Sequence, residues 1–100
     1  MTSNERKERF DALQRIGCVV CRIYYQTHSE AHIHHLLGLK YRAMGKKASD
    51  RDTIGLCPTH HMHGSDAHPS AHGQPAEFKS RFGSQEFLLD ATNKMIEAMK

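Results

Sequence analysis

Cys57-Pro58-Thr59-His60-His61 offers soft metal ligands at two, and with His61 three, positions of a single turn. Cys57 and His60, three apart, can close on one ion from the start of a helix, while His61 points roughly 100° further round toward a different neighbour. Each side needs partners from elsewhere in the chain. Upstream, Cys18-Val19-Val20-Cys21 supplies a second pair of thiolates, and His32-Ile33-His34-His35 supplies an imidazole cluster on a segment that reads as a strand. Two metals are therefore expected on opposite sides of one turn. The thiolate side, Cys18, Cys21, Cys57 and His60, has the paired C-x2-C and C-x2-H spacing of a structural zinc knuckle. The imidazole side suits a second, catalytic metal.

A chain of 100 residues is at most one domain, and it buries only about 60–65% of its unfolded surface. Metal binding would supply the stability that so thin a core lacks. Its three cysteines cannot all pair within one chain, and Cys18 and Cys21 are too close for an ordinary loop-closing disulfide, which argues for metal in a reducing compartment. No apolar run approaches the roughly 18 residues of a membrane span, and the charged stretch from Met1 to Phe10 has no apolar core of signal-peptide type behind it. A cytoplasmic location without membrane contact is expected. The formal net charge is only +3, but Lys40, Arg42, Lys46 and Lys47 stand together between Ala31 and Ser49 with no acid among them. With Gly38 and Gly45 this segment reads as a mobile basic loop suited to a nucleic acid backbone. A merely solvated loop is the alternative. The nine histidines concentrate between His28 and His72, which scattered surface residues would not do.

In chain order, Ser3 can cap a helix over 3–16 whose apolar face is Phe10, Ala12, Leu13 and Ile16, with Gly17 as its stop. Cys18 to Cys21 then make a tight turn with Val19 and Val20 at its tip, and Ile23 to Tyr25 reads as a short strand. Ala31 to Leu37 is a second strand, on which His32 and His34 share one face and Ile33 and His35 the other. Thr53 to Leu56 is a strand leading into Cys57, and Pro58 fits the first turn of a helix to about His63 that ends at Gly64. Pro75 opens a helix with Phe78 and Phe82 as its buried edge. Ser84 caps the last helix, whose stripe is Leu88, Ala91, Met95 and Met99 with Phe87 and Ile96 alongside. The whole is an α+β fold: a single small zinc-stabilised domain over 1–100, with an N-terminal helix, a zinc knuckle and strand-strand-helix core over 18–73, and C-terminal helices over 75–100.

The runs Glu30-Ala31-His32-Ile33-His34-His35-Leu36, Met44 to Asp50, Leu56 to His61, His72-Gly73 and Phe78 to Gly83 resemble the phage RecA-dependent (Ref-like) nuclease family, within the HNH or ββα-metal endonucleases. The resemblance covers roughly Cys18 to Leu89. It implies a small HNH-type DNA endonuclease of phage recombination, acting in the bacterial host with RecA filaments as a possible partner. By position, His35 matches the general base, His34, His61 and His72 match ligands of the catalytic metal, and Asp50 stands where the base-orienting residue, usually Asn, is found. Three alternatives stay open. His32 stands where an acidic residue is common and is a further ligand or a phosphate contact; His68 rivals His72; Asp52 rivals Asp50.

Phosphodiester hydrolysis needs a nucleophilic water, a base and a cation to stabilise the departing oxygen. A neutral imidazole of pKa about 6.5 suits the base. A site of imidazoles would hold Mg²⁺ or, because all-nitrogen ligation does not favour magnesium, a softer ion such as Mn²⁺ or Zn²⁺. Lys40, Arg42, Lys46, Lys47 and Arg51 would grip phosphates without reading sequence. The rival is a non-catalytic zinc module that binds nucleic acid or a protein. Against it stands the tandem His34-His35, because a structural site needs one imidazole and has no use for a second facing away.

Overall fold

The first helix starts one residue earlier than Ser3 as a cap would have it. Thr2 accepts from the Glu5 amide at 3.1 Å while the Glu5 carboxylate takes the Thr2 amide at 3.4 Å. This reciprocal capping box needs an acid three residues after the hydroxyl, which Thr2 has and Ser3 does not. The helix, α1 (Ser3–Ile16), buries Leu13 and Ile16 and stops at Gly17, whose φ is 76°. That left-handed conformation favours glycine, and a Cβ here would also strike the Ser29 carbonyl. A computed structural model describes residues 1–37, 41, 49–65 and 67–100. The expected basic loop, with Lys40, Arg42, Lys46 and Lys47, lies outside them apart from Tyr41 and Ser49.

Cys18 caps a second helix, α2 (Val19–Tyr24). This corrects two expectations, a turn that carries Val19 and Val20 at its tip and a strand at Ile23 to Tyr25. Both valines are fully buried, and the first turn continues through Arg22 and Tyr25 amides bonded to the Cys18 and Cys21 carbonyls at 3.0 Å. Burial of two valines outweighs their modest helix propensity, and a strand at this point would have no ladder to join.

Strands β1 (His32–His35) and β2 (Thr53–Leu56) pair antiparallel, with His32 opposite Leu56 and His35 opposite Thr53. β1 is shorter than the expected Ala31 to Leu37, although the Leu36 amide still bonds Asp52. Gly55 is where α1's end passes β2: a Cβ there would lie 2.7 Å from the Gly17 carbonyl oxygen and 2.9 Å from Ala31 Cβ. Only a residue without a side chain allows so close a crossing. The segment after β2 is a π-helical turn, Thr59–His63, rather than an α-helix, and it ends at Gly64 as expected.

Helices α3 (Pro75–Phe82) and α4 (Gln85–Ala98) close the chain, with Pro75 opening one and Ser84 capping the other. Their inward residues Phe78, Phe82 and Leu88 join Val19, Val20, Leu36, Ile54 and Leu56 in the core. Phe87 and Met99, expected on the α4 core stripe, are instead 49% and 44% exposed, and Thr92 is buried. Thr92 satisfies its hydroxyl on the Leu88 carbonyl at 2.8 Å, so it can occupy the buried face at little cost. Gln85 grips the end of β1, accepting from the Leu37 amide at 2.7 Å and donating to the Leu37 carbonyl at 2.8 Å. Arg9 from α1 clamps Thr53 of β2 and Asn93 of α4 together. Among the described residues, no helix is long and apolar enough to cross a membrane.

Candidate metal centres

The π-turn is what divides the chemistry. His60 and His61 are adjacent on it, so their side chains leave it in different directions. Backbone bonds then fix what each one meets: the Ala71 amide bonds the His60 carbonyl at 2.8 Å, and the His72 amide bonds the His61 carbonyl at 3.1 Å. These two bonds bring His72 back beside His61 across the intervening loop. Buried Ser70 braces the return, its hydroxyl donating to the Met62 carbonyl at 3.2 Å and accepting from the Gly73 amide at 2.8 Å.

On one side Cys18, Cys21, Cys57 and His60 converge, all four buried, with their ligand atoms within 4.8 Å of one another. His60 Nδ1 is 3.2 Å from Cys57 Sγ, 3.6 Å from Cys21 Sγ and 3.7 Å from Cys18 Sγ, and the Cys21 and Cys57 sulfurs are 3.9 Å apart. A tetrahedral zinc with ordinary Zn–S and Zn–N lengths has edges of about 3.8 Å between sulfurs and about 3.6 Å from sulfur to nitrogen. The cluster has the size and the donors of that tetrahedron. Burial pushes the Cys18 thiol up to about 12, so only a cation would make it a thiolate here. Burial also lowers the His60 pKa, with His68 adding to the effect; the neutral ring this favours is the form that can ligate.

On the other side His34, His61 and His72 present ring nitrogens within 4.8 Å of one another. Their ring centroids are 4.8–5.1 Å apart. His34, from the centre of β1, is 1% exposed, His61 is half-buried and His72 is at the surface. Protein therefore closes one side of the triad and solvent reaches the other. The His61 pKa is lowered by burial first and then by His72 and His32, so its neutral form too is favoured.

The alternation of β1 sends His35 to the opposite face from His34. There the ring is 12% exposed and donates from Nε2 to Asp50 Oδ1 at 2.8 Å, with Phe10 of α1 edge-on at a 6.5 Å centroid distance. Arg6 Nη1 approaches the other Asp50 oxygen at 4.0 Å. It is thus Asp50 that meets His35; Asp52 instead lies close enough to Arg9 to influence its charge. His72 rather than His68 joins His34 and His61. His32 stays outside the triad, its Nδ1 3.3 Å from His61 Nδ1. Arg51 is exposed and pairs with Glu5 at 3.7 Å. Sequence reasoning missed the clamps of Arg9 and Gln85 and the contact of His68 with His60, because each joins residues whose sequence separation carries no periodic signal.

No curated protein matches the chain. A family model does, over residues 2–97. With nearly the full length matched, including both the Cys/His cluster and the histidine triad, the chain belongs to the recombination enhancement, RecA-dependent nuclease family.

Proposed function

We propose that this protein is a metal-dependent DNA endonuclease of the HNH type, hydrolysing phosphodiester bonds during recombination with RecA filaments as its partner. The observation that carries the reading is the division of the tandem histidines by strand β1, His34 into a three-imidazole cluster open on one side and His35 onto a carboxylate. A structural zinc at Cys18, Cys21, Cys57 and His60 would hold the π-turn that carries His61. His34, His61 and His72 would hold Mg²⁺ or another divalent cation, which when bound supplies positive charge to the phosphate and the departing oxygen.

The protein's own residues supply the rest. Asp50 would keep the proton of neutral His35 on Nε2, so that Nδ1 would be the nitrogen to take the proton of the attacking water. As the ring becomes charged, the Asp50 carboxylate stabilises it, which is the function an acid has behind a histidine base. Arg51, exposed next to Asp50, and the basic residues Lys40, Arg42, Lys46 and Lys47 would hold the backbone phosphates, which gives affinity without sequence preference.

Nicking of plasmid and single-stranded DNA with Mg²⁺ or Mn²⁺, with and without RecA filaments, tests this. His35→Ala should retain zinc, fold and DNA binding and lose on the order of 10²–10⁴ in rate, the contribution of a general base. His34→Ala should lose activity that raised metal concentration partly restores. A His35→Ala protein that cleaves as fast as the parent removes His35 from the mechanism. Cleavage under no condition would favour a zinc module that only binds.

A further inference from the structure

His60 has two ring nitrogens, and only one faces the thiolates. Nδ1 lies 3.2–3.7 Å from the three sulfurs. A ring that gives its Nδ1 lone pair to a metal must carry its proton on Nε2, and His60 Nε2 lies 3.2 Å from Nδ1 of His68. His68 is not one of the clustered ligands. It is nevertheless held in place by its own loop, where its amide bonds the Ser65 carbonyl at 3.2 Å and hydroxyl at 3.1 Å and its carbonyl takes the Ser65 amide at 2.9 Å. Tyr25, from the end of α2, flanks both rings, nearly parallel to His60 at a centroid distance of 6.0 Å and tilted against His68 at 5.2 Å.

We propose that His68 is a positioning residue for the structural zinc, accepting the Nε2–H of His60 so that Nδ1 is fixed as the ligand atom. The inference rests on the four-ligand zinc centre proposed above and extends it by one shell. Such an acceptor fixes the tautomer and the ring orientation of a metal-bound histidine and raises its basicity. Here the acceptor is an imidazole rather than the more usual carboxylate or carbonyl, so the hydrogen bond requires the His68 proton on its own Nε2, directed away from His60. A metal ligand from a short π-turn has little helix behind it to hold its ring, and the Ser65–His68 turn supplies that restraint.

Zinc affinity of the full chain, measured by competition with a chromophoric chelator, separates the possibilities. His68→Phe keeps the ring shape without the acceptor and should bind zinc about 10–100-fold more weakly. His68→Asn, whose side-chain oxygen can stand near the Nδ1 position, should recover most of that loss, which a packing role alone would not allow. In the zinc-loaded parent, ¹⁵N spectra should show His60 metal-bound at Nδ1 with a slowly exchanging Nε2 proton; this needs no variant and holds if His68→Phe fails to fold. Unchanged affinity in His68→Phe, equal weakening in His68→Asn, or a His60 bound through Nε2 would overturn the role of His68 while leaving the zinc centre intact. A parent that takes up no zinc would overturn both.

Discussion

A hydrogen bond of 2.8 Å between His35 and Asp50 decides more of the proposed chemistry than any other single contact. The carboxylate is 31% exposed and Arg6 lies at the long distance of 4.0 Å, so this ion pair contributes little by itself. In the proposed mechanism the value of Asp50 would be orientational, selecting the tautomer in which His35 accepts at Nδ1. Asp50→Ala removes the acceptor for Nε2–H, so cleavage should fall on the order of 10²-fold or more with zinc content and melting temperature almost unchanged, whereas Asp50→Asn keeps an oxygen that can accept and should retain most of the rate. Arg6→Ala should leave the rate within a few-fold of the parent, as expected of an exposed pair. Single-turnover cleavage by the variants side by side is the measurement, and equal rates for Asp50→Ala and the parent would separate Asp50 from the base.

At the scale of elements, the two-stranded sheet is too small to stand alone, and α1 and α4 make up for it. Arg9 holds Thr53 of β2 and Asn93 of α4, and Gln85 closes on Leu37 beyond β1. The approach of α1 to β2 depends on Gly55, since a Cβ would sit 2.7 Å from the Gly17 carbonyl oxygen. Backbone occupies that space, so nothing flexible can yield. Gly55→Ala should therefore destabilise the protein by about 1–3 kcal/mol, the usual result of forcing a methyl into filled space. Thermal melting of the zinc-loaded protein checks it; an unchanged midpoint would show that α1 can move off β2 freely.

For the molecule as a whole, a core of modest size surrounds four buried ligands drawn from α2, the end of β2 and the π-turn. Structural zinc in small domains binds with about 10–16 kcal/mol, comparable with the whole stability of an ordinary domain, about 5–15 kcal/mol. Without a cation, the proposed centre would leave three thiols and an imidazole crowded in the interior. Chelation should therefore convert the cooperative melt into a broad one with loss of helical circular dichroism, and Cys57→Ser should do the same without chelator. Metal analysis should find one tightly held zinc per chain. A chelated protein that melts like the parent would assign the fold's stability to the apolar core alone.

Residue type and spacing by themselves pointed to the cluster of Cys18, Cys21, Cys57 and His60, since two pairs of ligands at two-residue intervals have few other uses, and determined the helix ends, since Gly17, Pro75 and Ser84 act through local backbone chemistry. They also determined that His34 and His35 face opposite ways, because strand alternation is local. What they left open was settled by contacts between distant segments. Helix or strand at Ile23 to Tyr25 depended on burying Val19 and Val20, and the choice of Asp50 over Asp52 depended on which side of β2 the preceding turn leaves toward His35. His72 reaches His34 because its amide bonds the His61 carbonyl, a bond between backbone groups that every residue carries. Local stereochemistry is written in residue identity, whereas the meeting of His60 with His68, or of Gly55 with Gly17, exists only once the core has brought the segments together.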